Sequence, residues 1–140
     1  MIIKQISVFI ENKRGRLAEI TKVLKEANID IRALSIADTK DFGILRLIVN
    51  DADKAIDILK KDGFTVSITK VIGIGIDDKP GGLAKAMLVL NQNQISVEYM
   101  YAFISRTAQT AYVILRVEDN ELAIKVLTEN DFQIMENDLI

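Results

Sequence analysis

Two stretches of the chain are copies of one another, and this restricts the fold more than any other feature. Residues 11–40 laid over residues 77–106, an offset of 66, match Lys13 with Lys79, Gly15 with Gly81, Leu17 with Leu83, Ala18 with Ala84, Val23 with Val89, Leu24 with Leu90 and Ile29 with Ile95. A two-residue insertion moves the offset to 68 and pairs Val49 with Val117, Asp51 with Asp119, Ala55 with Ala123, Ile56 with Ile124, Leu59 with Leu127 and Phe64 with Phe132. Identities at helix-start, core and turn positions mean one folding unit written twice. The copies are expected over residues 1–67 and 68–140.

Each copy has the same pattern. Residues 2–10 alternate, with Ile6, Val8 and Ile10 on one face and Gln5, Ser7 and Phe9 on the other, and Ile72, Ile74 and Ile76 repeat the period of two. Gly15 opens a segment with Leu17, Ile20, Leu24 and Ala27 at helical spacing, matched by Leu83, Met87 and Leu90. Residues 31–38 and 43–50, separated by Thr39-Lys40-Asp41, and residues 97–104 and 111–117 predict hairpins. A second helix, N-capped by Asp51 or Asp119, leads to a last strand at Phe64 or Phe132. The order βαββαβ, twice, is an α+β ferredoxin-like plan: antiparallel four-stranded sheets, each with two helices on one face and the other face bare. Residues 64–76 read as nearly continuous strand without a flexible linker, so the units are expected to pack as a rigid pseudo-dimer.

Composition removes much chemistry. The chain has no Cys, His or Trp, which excludes disulfides, thiolate or imidazole metal sites, Cys nucleophiles and imidazole bases. With 18 basic and 20 acidic residues, split 12 to 10 in the first copy and 6 to 10 in the second, it carries no basic footprint for nucleic acid. The segment Gly43-Ile44-Leu45-Arg46-Leu47 lacks the stacking aromatics of an RNA-binding sheet, and Gly73-x-Gly75 has no third glycine at dinucleotide spacing. Asp38, Asp41, Asp51 and Asp53 read as turns and caps, so neither a metal nor a cofactor is expected. No apolar run approaches the roughly 18 to 20 residues of a membrane span, and residues 1–9 lack a signal peptide's pattern, so a cytoplasmic location is expected.

The turns between first strand and first helix carry the chemistry: Glu11-Asn12-Lys13-Arg14-Gly15-Arg16-Leu17 and Asp77-Asp78-Lys79-Pro80-Gly81-Gly82-Leu83. Pro80 suits a helix start, and Gly81 and Gly82 permit close backbone approach to an anion held by the free N–H groups of a helix N-terminus. Asp78 could accept an ammonium group, so the turn suits a zwitterionic amino acid. The plainer reading is a helix start whose Asp77 or Asp78 only caps it. Gly73 and Gly75, on one face of their strand, predict close backbone packing or a ligand nearby.

This turn, the Asn-Gln-Ile-Ser-Val run before strand two of the second copy, and the βαββαβ order resemble the ACT domain, a small regulatory module that binds amino acids. The resemblance spans nearly the whole chain as two tandem copies. It implies a non-catalytic protein that binds a small amino acid at an interface between ACT-like units, through Asn12, Gly15, Arg16, Asp30 and Ile31 in copy one and Asp78, Gly81, Gly82, Leu83, Ser96 and Val97 in copy two. Copy one departs from the pattern with Arg14 in place of Pro80 and adds Lys13 and Arg16, so its site is either degenerate or tuned to a more acidic ligand. The alternative is an interaction module or small regulatory subunit of an amino-acid biosynthetic enzyme, without a ligand of its own. Tyr99, Tyr101 and Phe103 on one face of their strand, Met100, Ala102 and Ile104 on the other, and Leu88 where copy one has Lys22 add apolar surface, which reads plainly as ordinary core and a repeat–repeat contact and functionally as the seat of a homodimer or a partner enzyme.

Overall fold

The computed structural model describes residues 1–103, 109–136 and 139–140. The chain divides into two compact units, Lys4–Thr69 with Ile140, and Lys70–Leu139 with Met1–Ile3. The elements of the first copy are β1 (Ile2–Glu11), α1 (Arg16–Glu26), β2 (Ile31–Asp38), β3 (Phe42–Val49) and α2 (Ala52–Lys61). They are followed by β4 (Thr65–Asp77), then α3 (Gly82–Gln92), β5 (Val97–Phe103), β6 (Thr110–Val117), α4 (Asn120–Glu129) and β7 (Gln133–Ile134). The order is βαββαβ twice, with β4 serving as last strand of one copy and first of the next. Ile104, expected in the second hairpin, lies outside the described residues.

In the first unit β3 lies between β1 and β2 and runs antiparallel to both, with Ile6 opposite Leu47 and Ile36 opposite Leu45. In the second unit β6 lies between β4 and β5 in the same way, with Ile74 opposite Val113 and Tyr101 opposite Ile114, and β7 pairs with the other side of β4. Even the irregularity repeats: the register shifts at Arg32 in β2 and at Glu98 in β5.

The period-two face Ile6, Val8 and Ile10 joins Leu45, Leu47 and Val49 in one apolar core, closed by Ile20 and Leu24 of α1 and Ala55 and Leu59 of α2. Ile72, Ile74, Leu115 and Val117 form the equivalent core with Ala86 and Leu90 of α3 and Ala123 and Leu127 of α4. The expected α1 stripe holds at Ile20, Leu24 and Ala27 and fails at Leu17, which like its counterpart Leu83 is 39% exposed. On α3 the buried face is Gly82, Ala86, Val89 and Leu90, and Met87 is only half-buried.

The sheet face away from the helices is not bare, as the pattern had suggested. Gln5, Ser7, Ala33 and Ile48 are buried in one unit, and Tyr101, Phe103, Tyr112 and Ile114 in the other. Gln5 donates Nε2–H to Ser7 Oγ at 3.1 Å, so polar alternation on β1 reflects a buried hydrogen-bonded pair. Of the β5 residues expected to be covered, Tyr99 and Met100 are half-buried and Ala102 is exposed. The close approach expected at Gly73 is there: a Cβ at that position would collide with the Met135 side chain.

Asp51 and Asp119 cap α2 and α4, accepting from the N–H of Lys54 at 3.1 Å and of Leu122 at 3.0 Å. Replacing either by Ala should lower stability by about 1 kcal/mol in urea unfolding. Gly73→Val should cost roughly 1–3 kcal/mol in the same experiment, through overpacking against Met135.

Candidate functional site

The turns after β1 and before α3 share one backbone device. Gly15 and Gly81 are the N-cap residues, at φ of 88° and 90°, in the left-handed region that glycine adopts without strain. No side chain caps either helix, in contrast to α2 and α4. The N–H groups of the first turn therefore face outward without an internal side-chain acceptor, and a ligand anion can take that place. Pro80 stands at the helix entry, immediately before the N-cap.

Gly82 has a different task. A Cβ there would collide with the Asp77 carbonyl oxygen, so the second turn folds closer to its strand than a side chain allows. Arg16 occupies the equivalent place in the first unit, where the Arg16 N–H to Lys13 O bond is 3.3 Å against 3.0 Å for Gly82 to Lys79. Around Gly15 and Gly81 there is open space, so their requirement is conformational and not steric.

Charge sits differently at the two turns. Lys13 Nζ lies 2.6 Å from Glu11 Oε2, and this bond, with the positive charge of Lys13 and Arg16, holds the Glu11 carboxyl below its ordinary value. Lys79 is 3.8 Å from Asp77. Asn12 donates its amide to the carbonyl oxygens of Thr39 and Phe42 and thus clamps the β2–β3 turn, while Asp78 forms no ion pair among the described residues. Each turn lies beside a small cleft, of about 170 Å³ between Glu11, Arg16, Asp62, Gly63 and Phe64, and of about 200 Å³ between Asp77, Gly82, Lys85, Asn130, Asp131 and Phe132. A cation lies over the phenylalanine in both: Arg16 is 5.9 Å from the Phe64 ring centre and Lys85 5.8 Å from that of Phe132. Lys85 is the counterpart of Glu19, not of Arg16, so the cation moved by one helical turn and kept its ring. Sequence reading did not single out Lys85, Phe64 or Phe132 as site residues; the recurring Phe at offset 68 was the available signal.

The remaining site residues lie elsewhere. β3 joins Phe42, opposite Glu11, to Val49, opposite Ile31, so the turn residues and Asp30–Ile31 are separated by seven residue steps of roughly 3.4 Å, or about 24 Å. The same holds from Thr110, opposite Asp77, to Val117, opposite Val97. Within one unit, Asn12, Gly15 and Arg16 thus do not meet Asp30 and Ile31, nor do Asp78, Gly81, Gly82 and Leu83 meet Ser96 and Val97. Ile31 and Val97 pack against their cores, which leaves Asp30 and Ser96 as the polar groups at that end.

That end is closed in one unit and open in the other. Lys54 Nζ donates to Ala27 O at 2.8 Å, Asn50 Oδ1 accepts from the Asp30 N–H at 3.0 Å, and Asp30 pairs with Arg32 at 3.2 Å. Leu122, the counterpart of Lys54, has no donor for the first of these bonds, Glu118 stands in place of Asn50, and a cleft of about 630 Å³ opens between Ser96, Glu98, Glu118, Asp119, Asn120 and Leu122. Comparing Asn50 with Glu118 and Lys54 with Leu122 in the repeat would have revealed this difference. Among the described residues no group of three or more acidic side chains is placed to hold a metal ion, and no helix is long and apolar enough to cross a membrane.

The family model for the ACT domain pair matches residues 1–140, and the chain belongs to that family. It is 44% identical to protein BT0572 from Bacteroides thetaiotaomicron, whose structure it matches with a TM-score of 0.92 over 99% of this chain and 96% of that one. The regulatory subunit of aspartate kinase from Thermus thermophilus is 17% identical, with a TM-score of 0.66 over 90% of this chain and 91% of that one. Aspartate kinase from Clostridium acetobutylicum is 14% identical, with a TM-score of 0.55 over 91% of this chain and 33% of that one. These last two share the fold. No curated protein matches the chain.

Lys13→Ala should return the Glu11 carboxyl toward the ordinary glutamate range, read by a pH titration of its side-chain carbon resonance. Gly82→Ala should destabilise the second unit by roughly 1–3 kcal/mol, whereas Arg16→Ala, with no such collision to avoid, should cost less in the same thermal unfolding experiment.

Proposed function

We propose that the chain is a non-catalytic regulatory protein that binds a small amino acid, its carboxylate held at the glycine-capped N-termini of α1 or α3. The observation that carries this reading is the repetition of one device: in both units a left-handed glycine starts a helix that no side chain caps, beside a small polar cleft. Asp51 and Asp119 cap α2 and α4 with a side chain, whereas the two starts without one, at equivalent positions, leave first-turn N–H groups for another acceptor. Asp78, in the same turn, would take the ligand's ammonium group. Because Asp30 and Ser96 lie about 24 Å from the turns of their own units, they join the site only from another ACT unit set beside it. Ligand binding across such an interface favours one packing of the units over another, which is how binding becomes a signal.

A second reading, a regulatory subunit of a separate enzyme of amino-acid metabolism, is favoured by the fold shared along nearly the whole chain with the regulatory subunit of aspartate kinase. Both readings place the chain away from membranes and nucleic acid, in the cytoplasm.

Thermal unfolding of exhaustively dialysed protein against each common amino acid tests the first reading. A ligand at 100 times its Kd adds about 2.7 kcal/mol and should raise the midpoint by roughly 5–10 °C. Gly81→Val should abolish that shift at a cost of about 1–2 kcal/mol from the left-handed backbone. If no amino acid moves the midpoint and an enzyme co-purifies in fixed ratio, the second reading stands instead.

A further inference from the structure

At the end of the sheet remote from the α3 turn, the second unit has lost cations that the first unit keeps. In the first unit the chain's own charges close this place: Lys54 Nζ donates to the carbonyl oxygen of Ala27, at the end of α1, at 2.8 Å, Arg32 pairs with Asp30 at 3.2 Å, and Asp53 pairs with Lys4 at 3.0 Å. The repeat sets Glu98 where the first unit has Arg32, Glu118 for Asn50, Asn120 for Ala52, Glu121 for Asp53 and Leu122 for Lys54. Two cations and one acid become three acids and no cation, and the cleft of about 630 Å³ opens among them.

The polar groups around this cleft are left short of positive partners. Glu98 pairs with Arg116 at 3.4 Å, but Glu118 and Glu121 form no ion pair among the described residues. The α1 helix carries Lys25 in its last turn and takes the Lys54 ammonium on its terminal carbonyl, whereas α3 has no basic residue in its last turn to offset the negative end of its dipole. Asn120, on the cleft wall, donates Nδ2–H to the Lys70 carbonyl oxygen at 3.2 Å, while its Oδ1 is buried with no donor among the described residues. A buried acceptor in that condition is costly until a ligand or a water supplies the missing proton donor.

We infer that this cleft binds a short aliphatic diamine, one ammonium group standing where the Lys54 ammonium stands in the first unit. Leu122 and Ile95 on the wall offer the methylenes an apolar surface of the kind a lysine stem covers. Glu118 and Glu121 accept charge-assisted hydrogen bonds from the ammonium groups. An amino acid fits this place poorly, because its carboxylate would meet the same acids. A bare metal ion fits it no better, since no group of three or more acidic side chains among the described residues is placed to hold one. The cleft lies a strand length from the α3 turn, so the inference goes beyond the amino-acid reading and does not rest on it.

Calorimetric titration of the full-length protein with 1,4-diaminobutane, at an ionic strength held constant with potassium chloride, tests the site. Saturable binding of one diamine per chain is expected, and 4-aminobutanoate should bind at least about tenfold more weakly because of its carboxylate. Leu122→Lys, which restores the first unit's ammonium, should weaken diamine binding at least about tenfold, and so should Glu118→Gln combined with Glu121→Gln. Glu129→Gln, which removes a charge at the other end of α4, should leave the affinity unchanged. Thermal unfolding of each variant shows that it is folded. Absence of saturable binding, equal affinity for the diamine and 4-aminobutanoate, unchanged affinity in the cleft variants, or an equal loss in Glu129→Gln would overturn the proposal. None of these titrations probes the α3 turn, so their failure is distinct from the absence of an amino-acid-induced thermal shift.

Discussion

A helix that connects two parallel strands of one sheet must carry the chain back along the full length of the strands, and the rest of this structure follows from that return. It places the end of β1 and the start of β2 at opposite ends of β3, and likewise for β4, β5 and β6. The helices bury one sheet face, which sets the cores around Ile6, Leu45 and Leu59 and around Ile72, Leu115 and Leu127. It also keeps Asn12 and Asp30, and likewise Asp78 and Ser96, a strand length apart within each unit.

The two copies show how one plan supports different surfaces. In the first, Lys54 ties α2 to the end of α1, and Asn50 ties the loop before α2 to the residue preceding β2. In the second, Leu122 and Glu118 leave that end open and acidic. At the other end the roles reverse: the first turn carries Lys13, Arg14 and Arg16, while the second is stripped to Pro80, Gly81 and Gly82 and lies closer to its strand. Exposed ion pairs such as Lys4–Asp53 contribute little to stability, and the cation over Phe64 or Phe132 adds a modest increment. The variation therefore lies where it changes recognition at small cost to the fold.

Local patterns predicted local structure well. The alternation of Ile6, Val8 and Ile10, the caps at Asp51 and Asp119, and the glycines opening α1 and α3 all depend on neighbours within a few residues, and each appears in the structure. The reading failed where a residue's surroundings come from distant chain. Leu17 and Leu83 look like core residues by spacing and are exposed, because nothing in helical periodicity says where the sheet beneath the helix ends. Gln5 and Ser7 look like a solvent face and are buried, because their mutual hydrogen bond satisfies them.

By itself the sequence determined that the chain is a duplicated βαββαβ protein without imidazole or thiol chemistry, and that one glycine turn is kept in both halves; repetition and composition are properties of the chain and need no coordinates. Only the tertiary structure decided which site residues can meet. Asn12 and Asp30 are 18 positions apart in sequence and Asp78 and Ser96 likewise, but the returning helix sets each pair at opposite ends of a sheet. Strand direction and register are fixed by hydrogen bonds between segments that are remote in sequence, and so the geometry of the site is a property of the assembled sheet.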